Sequence, residues 1–181
     1  MRINTQEFYI NGISYTIRSA LAKDAQVLSE IRLLMDGETE NLDREKGEGY
    51  IDISGFEQLI KADTENNRNL FLVAELNDEI VGFSRCAGNL LKRSSHKVEF
   101  GVCVLKEYWG NGIGKNLLKE SIAWADGSGV TKITLNVLET NDKAIELYKK
   151  SGFEIEGVLR KDKLLADGKY YNTIIMGRFK E

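Results

Sequence analysis

The stretch from Gly101 to Leu118 constrains this chain more than any other. An apolar strand, Gly101-Val-Cys-Val-Leu105, runs into Gly110-Asn-Gly-Ile-Gly114. An amphipathic helix follows at once, with Ile113, Leu117, Leu118, Ile122 and Ala125 at helical spacing. Glycines let a backbone turn tightly and let its amides meet a ligand with no Cβ in the way. The first amides of a helix have no internal partner and sit at the positive end of its dipole, so they favour a phosphate. Lys115 adds a cation at the same place. Taken alone, the glycine spacing also fits a turn that binds nothing.

Two familiar phosphate motifs fail here by position. A Walker loop ending at Gly114-Lys115 requires glycine at 109 and Ser or Thr at 116, where the chain has Trp109 and Asn116. A dinucleotide fingerprint starting at Gly110 requires glycine or alanine at 115, which is Lys115, and it opens a leading βαβ unit. Nucleotide hydrolysis and hydride transfer are therefore disfavoured. Composition narrows the field further. The chain has 181 residues, 42% hydrophobic and 29% charged, as expected of one globular domain spanning 1–181. A net charge of −3 leaves no basic footprint for nucleic acid, and no apolar run reaches the roughly 20 residues of a membrane helix. Met1-Arg2-Ile3-Asn4 does not open a signal peptide, and Cys86 and Cys103 make no disulfide framework, so a cytoplasmic protein with reduced thiols is expected. One histidine, His96, beside two separated cysteines makes no recognisable metal site. His96 lies at a strand start and is given a turn role.

Periodicity supplies the order of elements. Residues 13–19 alternate as a strand behind the hairpin signal Asn11-Gly12. A helix is predicted over 23–35 with Val27, Leu28, Ile31 and Leu34 on its apolar face. A polar connection covers 36–55, and Phe56, Leu59 and Ile60 mark a second short helix. Strands follow at 69–76 and 79–87 around Asn77-Asp78, and at 97–105; then come a helix (112–126), a strand (131–138) and a helix (141–151). Two long strands meet at Asp167-Gly168. Helices interleaved with strands make a mixed α/β or α+β domain.

From about residue 13 to 179 the chain resembles the GNAT N-acetyltransferases. The resemblance is carried by Glu99-Phe-Gly-Val-Cys-Val-Leu-Lys-Glu-Tyr-Trp-Gly-Asn-Gly-Ile-Gly-Lys-Asn-Leu-Leu118, which looks like the family's acetyl-CoA motif. A second match, Val137-Leu-Glu-Thr-Asn-Asp-Lys-Ala-Ile-Glu-Leu-Tyr-Lys-Lys-Ser-Gly-Phe153, lies a helix and a strand downstream. One departure is plain: the family motif often begins with Gln or Arg, and Trp109 stands there.

The resemblance implies a mostly antiparallel central sheet with helices on both faces and a splayed parallel pair near 97–105 and 131–138. Acetyl-CoA is the implied co-substrate, with no metal. Its pantetheine would pair with the backbone of Val102, Cys103 and Val104. Its diphosphate would meet Gly110, Asn111, Gly112, Ile113, Gly114 and Lys115. Asn141 aligns with a family asparagine that contacts the cofactor, and Asn is also a favoured helix N-cap. The implied reaction is direct acetyl transfer to a primary amine of a small molecule or peptide N-terminus. The N–H of Val104 or of a near neighbour would face the oxyanion and Tyr148 would be the general acid beside the sulfur; Tyr148 also fits a core aromatic. Glu99, on the same strand face as Gly101 and Cys103, is the candidate base or a plain surface glutamate. Cys103 as an acyl-carrying nucleophile is a minor alternative, as is a cofactor-binding module without turnover. The family also admits a homodimer, and the C-terminal pattern is nearest the branch acting on polyamines, amino acids or ribosomal-protein N-termini.

Residues 36–55 carry seven carboxylates against Arg44 and Lys46, a local charge of −5. Two readings stand: a solvated loop, or an acidic rim that steers a cationic amine.

Overall fold

Asn11 and Gly12 both adopt left-handed φ (53° and 80°), as do Asn77 and Asp78 (50° and 66°). These are the two central residues of tight hairpin turns, whose twist matches that of the strands they join. They link β1 (Gln6–Ile10) to β2 (Ile13–Ser19) and β3 (Leu70–Leu76) to β4 (Glu79–Gly88). The structure is a computed structural model describing residues 2–180. Between the hairpins lie α1 (Ala25–Glu38) and α2 (Ile53–Glu65); Asp52 caps α2 by accepting a hydrogen bond from Gly55 N at 2.7 Å. Then come β5 (Lys97–Val104), α3 (Ile113–Gly127), β6 (Lys132–Leu138), α4 (Asp142–Lys150), β7 (Glu154–Leu164) and β8 (Tyr170–Phe179).

The eight strands form one sheet in the order β1-β2-β3-β4-β5-β6-β8-β7. Every neighbouring pair is antiparallel except β5 and β6. That parallel pair holds over only Lys97–Glu99 against Lys132–Thr134 and then parts. This is the mixed sheet with a splayed parallel pair expected from the sequence. No helix among the described residues is long and apolar enough to cross a membrane.

Alternation along β3 builds two cores. Leu70, Leu72 and Ala74 face one side, where α3 buries Ile113, Leu117, Leu118, Trp124 and Ala125, and Tyr148 and Phe153 join them. Phe71 and Val73 face the other, under Leu28, Ile31 and Met35 of α1 and Phe56 and Ile60 of α2.

One expectation about α1 is corrected. Leu28 and Ile31 are buried as predicted, but Val27 and Leu34 are 38% and 50% exposed. The stripe facing the sheet is Ala25, Leu28, Ile31 and Met35. Val27 and Leu34 are seven residues apart and share a second stripe about 100° round the axis. Apolar spacing alone does not say which stripe the sheet will take. Leu28→Ala is expected to cost about 2–5 kcal/mol of unfolding free energy, whereas Leu34→Ala should stay within about 0.5 kcal/mol. Urea denaturation of both variants checks the assignment.

Candidate active site

The glycine-rich turn is held from outside by the first hairpin. Gly110 and Gly112 take φ of 83° and 74°, a region that favours glycine. Asn11 Nδ2 donates to the Gly110 carbonyl at 3.3 Å, and Asn111 Nδ2 donates to the Tyr108 carbonyl at 3.1 Å. Asn116 Nδ2 donates to the Tyr15 hydroxyl at 2.8 Å, tying the first turn of α3 to β2. A Cβ on Gly112 would lie 2.8 Å from Ile10 Cδ1, a side-chain tip that would have to move, and the positive φ itself favours glycine there. A Cβ on Gly114 would meet only Val104 Cγ2, at 3.8 Å.

The first internal hydrogen bond of α3 runs from Asn116 N to Gly112 O at 2.9 Å. The amides of Ile113, Gly114 and Lys115 therefore have no helical partner. Three such donors at a helix N-terminus, with loop carbonyls turned away onto the hairpin, suit an anionic group. Beside them lies a cleft of about 420 Å³ lined by Lys115, Lys143, Glu146, Leu147, Lys150 and Ser151. Lys143 and Lys150 were not singled out from the sequence. They are seven residues apart, so α4 puts both on one face, but only the tertiary fold sets that face beside Lys115. Asn141 is the N-cap of α4, its Oδ1 accepting from Ala144 N at 3.3 Å.

The parting of β5 from β6 exposes one backbone edge of β5. Leu105 N donates to Val81 O at 2.9 Å, and the register pairs Phe83 with Cys103. Backbone groups alternate along a strand, so those of Cys103 also turn towards β4, and those of Val102 and Val104 turn into the opening. The backbone groups of Cys103 are thus committed to β4, whereas those of Val102 and Val104 are presented to the opening. The Val104 carbonyl is already engaged, accepting from Trp109 Nε1 at 2.7 Å. Trp109, the residue that departs from the family motif, thus reaches back to the strand edge. The sequence offered no sign of this contact.

Cys103 is among the groups that bear electrostatically on the Tyr148 phenol. The two come from opposite cores. Tyr148 is 8% exposed, its ring 5.8 Å from that of Phe153. Burial, with Cys103 adding to it, pushes its hydroxyl up to about 12. Burial likewise pushes the Cys103 thiol up to about 12. At neutral pH that thiol keeps its proton and is a poor nucleophile. Glu99 is exposed on the Cys103 side of β5, at the closed end of the splay opposite Thr134. Four residues of strand separate it from Cys103, about 13 Å. His96 lies in the turn before β5, its carbonyl accepting from Thr131 N at 2.9 Å and Lys132 N at 3.2 Å.

The acidic connection is neither a bare solvated loop nor an open rim. Asp36 is buried and pairs with Arg44 at 3.2 Å. Glu38 accepts from Lys106 N at 2.8 Å, and Glu40 accepts from Ala166 N at 2.8 Å. Asp43 pairs with Lys163 at 2.8 Å, and Glu48 accepts from Glu45 N at 2.9 Å. These carboxylates clamp the connection across the sheet, from the end of β5 to the β7–β8 hairpin.

Residues 34–153 match the Acetyltransferase (GNAT) family. The chain is 36% identical over 110 residues to the L-amino acid N-acetyltransferase AaaT of Escherichia coli (strain K12), covering 60% of this chain and 67% of that one. The crystal structure of an acetyltransferase of the GNAT family from Streptococcus pneumoniae superposes with a TM-score of 0.89 at 29% identity, covering 92% of this chain and 99% of that one. A GNAT superfamily phosphinothricin acetyltransferase from Sinorhizobium meliloti, solved in complex with acetyl-CoA, shares the fold at a TM-score of 0.80 and 21% identity, covering 91% and 88%. The chain belongs to the Acetyltransferase (GNAT) family and is an N-acetyltransferase.

The thiol environment is open to direct measurement. Alkylation of Cys103 by iodoacetamide is expected to keep rising through pH 10, without levelling near the ordinary thiol value of about 8.5. Peptide mapping after timed exposure distinguishes it from the fully buried Cys86.

Proposed function

We propose that this chain transfers the acetyl group of acetyl-CoA directly to a primary amine, without an acyl-enzyme. The observation that carries the reading is the splay of β5 from β6, with an amide cradle at the start of α3 and Tyr148 in the core on that side of the sheet. The amides of Ile113, Gly114 and Lys115 would hold the diphosphate, with Gly110 and Gly112 shaping the turn and Asn111 fastening it. Lys115, Lys143 and Lys150 would take the remaining phosphate charge in their cleft. Val102 and Val104 offer the backbone edge along which pantetheine would lie. Asn141 contributes by fixing the start of α4, and hence the position of Tyr148.

The chemistry then falls to few groups. The acceptor must lose a proton before its nitrogen forms the new C–N bond. Val104 N–H points into the opening, where the carbonyl oxygen gathers negative charge. Tyr148 gives its proton to the departing sulfur as the C–S bond breaks, and regains one from the proton released by the amine. A hydroxyl raised to about 12 is a weak acid for an ordinary thiolate. Burial also raises the Cys103 thiol to about 12, and by the same physics a thiolate released into a gap away from water is costly to leave charged, which favours its protonation. Glu99 would act as base through intervening water, since the strand keeps it from direct contact. The reading as a cofactor-binding module without turnover gains nothing from this arrangement, because a mere binder has no use for a proton donor at the sulfur.

Gly114→Asp is expected to abolish CoA binding in a folded protein, because the new carboxylate opposes the diphosphate while its Cβ finds room. Calorimetric titration with CoA decides it, and unchanged affinity would remove the loop from the cofactor site. Gly112 is unsuited to this test, because any side chain there strains the turn and strikes Ile10.

Tyr148→Phe keeps the ring contact with Phe153 and removes the proton. Its kcat is expected to fall by about 10²-fold, the lower end of the range for general acid–base groups, with acetyl-CoA affinity retained. The folded pKa of Tyr148 lies above its ordinary value, so the acid stays protonated as pH rises. The wild-type rate should therefore climb with deprotonation of the amine and show no falling limb from Tyr148 below about pH 11. A folded variant with wild-type kcat, measured by thiol release, would refute this role.

A further inference from the structure

On the α1–α2 side of the splay, Cys103 packs against the apolar core of that face, and charged groups also bear on its thiol. Its electrostatic neighbours are Arg44, Asp36, Arg32 and Asp43. Asp36 is buried between two guanidiniums: Arg44 Nε and Nη2 lie 3.2 and 3.3 Å from its oxygens, and Arg32 Nε is 3.9 Å away. Asp43 is already paired with Lys163 at 2.8 Å. Lys163 also lies 3.8 Å from Asp162, so the cationic excess is local to Asp36, where two guanidiniums face one carboxylate in a place where burial makes charge matter more than at a free surface. Arg32 is pulled below its ordinary value by burial and by the neighbouring Arg44. Arg32 Nη1 is held by the Gly49 carbonyl at 2.6 Å, so the pair is fixed before any ligand arrives. Arg44 remains a third exposed, and its Nη1 makes no hydrogen bond among the described residues.

The position is as telling as the charge. The connection that carries Arg44 leaves α1 at the end of β5, where Glu38 meets Lys106 N, and reaches β6, β7 and β8 at a small cavity lined by residues 40–43 with Asn136, Val137, Leu138, Lys163 and Thr173. It thus roofs the splay on the face opposite α3 and α4. The amide cradle and lysine cleft lie on the α3 and α4 side. An acceptor therefore meets the arginine pair as it approaches the gap from the α1–α2 side.

We propose that Arg32 and Arg44 form a carboxylate-binding subsite and that the acceptor is a free amino acid, its carboxylate on the guanidiniums and its amine directed into the splay. This rests on acetyl transfer to a primary amine and selects within it. A polyamine would bring more positive charge to a site already in excess, and a peptide N-terminus has an amide where the carboxylate belongs. Guanidinium forks are suited to carboxylates by geometry as well as charge.

The test compares kcat/KM of the wild-type enzyme for a panel of free amino acids, their carboxamides, spermidine and an amidated tripeptide, with products identified by mass spectrometry. Free acids are expected to exceed their amides by roughly 10–100-fold, the value of a charge-assisted hydrogen-bonded contact. Arg44→Lys and Arg32→Lys keep the charge and lose the fork; each should raise KM for the acid, leave KM for the amide nearly unchanged, and leave CoA affinity unaltered. Amides, spermidine or the peptide acetylated as well as the acids would overturn this subsite while leaving acetyl transfer standing. An acid-to-amide ratio unmoved in both folded variants would do the same. No acetylated product from any member of the panel would overturn the acetyl-transfer reading and this proposal together. Should a variant fail to fold, the wild-type acid-to-amide ratio alone decides.

Discussion

The structure depends on a sheet that stops being a sheet partway along one strand pair. β5 and β6 are bonded for three residues each and then diverge, although both continue as strands for several residues more. An unpaired backbone edge inside a protein must find partners or face solvent. Here the edge of β5 stays open at Val102 and at the N–H of Val104, while Trp109 takes up the Val104 carbonyl. Because β5 and β6 are parallel, both C-terminal ends lie at the same side of the break. The chain leaves β5 into the glycine turn and leaves β6 into α4. One broken ladder therefore sets the amide cradle, the lysine cleft and Tyr148 around a single gap.

The gap joins two cores that would otherwise be separate layers. Tyr148 belongs to the core under α3 and α4, and Cys103 to the core under α1 and α2, yet the thiol bears on the phenol. A passage through the sheet lets two ligands approach one point from opposite faces with no shared surface outside it. Burial at that point raises both hydroxyl and thiol, because neither can be charged cheaply away from water. A buried carboxylate such as Asp36 is tolerated only because guanidiniums surround it. The local −5 of the sequence thus becomes, in three dimensions, a set of clamps onto backbone N–H groups and onto Arg44 and Lys163.

Much of this was legible in the sequence where the determinant is local. Asn11-Gly12, Asn77-Asp78 and Asp167-Gly168 each mark the turn they form, and the spacing of Ile113, Leu117, Leu118 and Ala125 gives the buried face of α3 directly. The glycines at 110, 112 and 114 were readable in kind as a tight turn, whereas the left-handed cap at Gly112 is seen only in the structure. What was not legible depends on residues meeting across the fold. The face of α1 was misjudged because Val27 and Leu34 form a second apolar stripe that nothing local distinguishes from the first. The backbone direction of Cys103 derives from its register with Phe83, which strand alternation alone does not supply. Lys143 and Lys150 read as surface charge until α4 is set beside Lys115. The acidic connection misled because counting charge says nothing about partners: Glu38 and Glu40 direct theirs to backbone N–H groups 68 and 126 residues away in sequence.

The hairpin that braces the glycine turn has a consequence for how such an enzyme diverges. Ile10 fills the space beside Gly112, Asn11 holds the Gly110 carbonyl and Tyr15 receives Asn116, and all three lie outside residues 34–153, the part that matches the family. The motif and the strands that brace it are thus far apart in sequence, and a change in one leaves the other's residues untouched. Substitutions in an unremarkable N-terminal strand can loosen or stiffen the cradle while every signature glycine stays in place. Two homologues with identical motifs need not grip the same ligand equally well, and the cause of the difference would lie some hundred residues upstream of the place where a comparison of motifs would look for it.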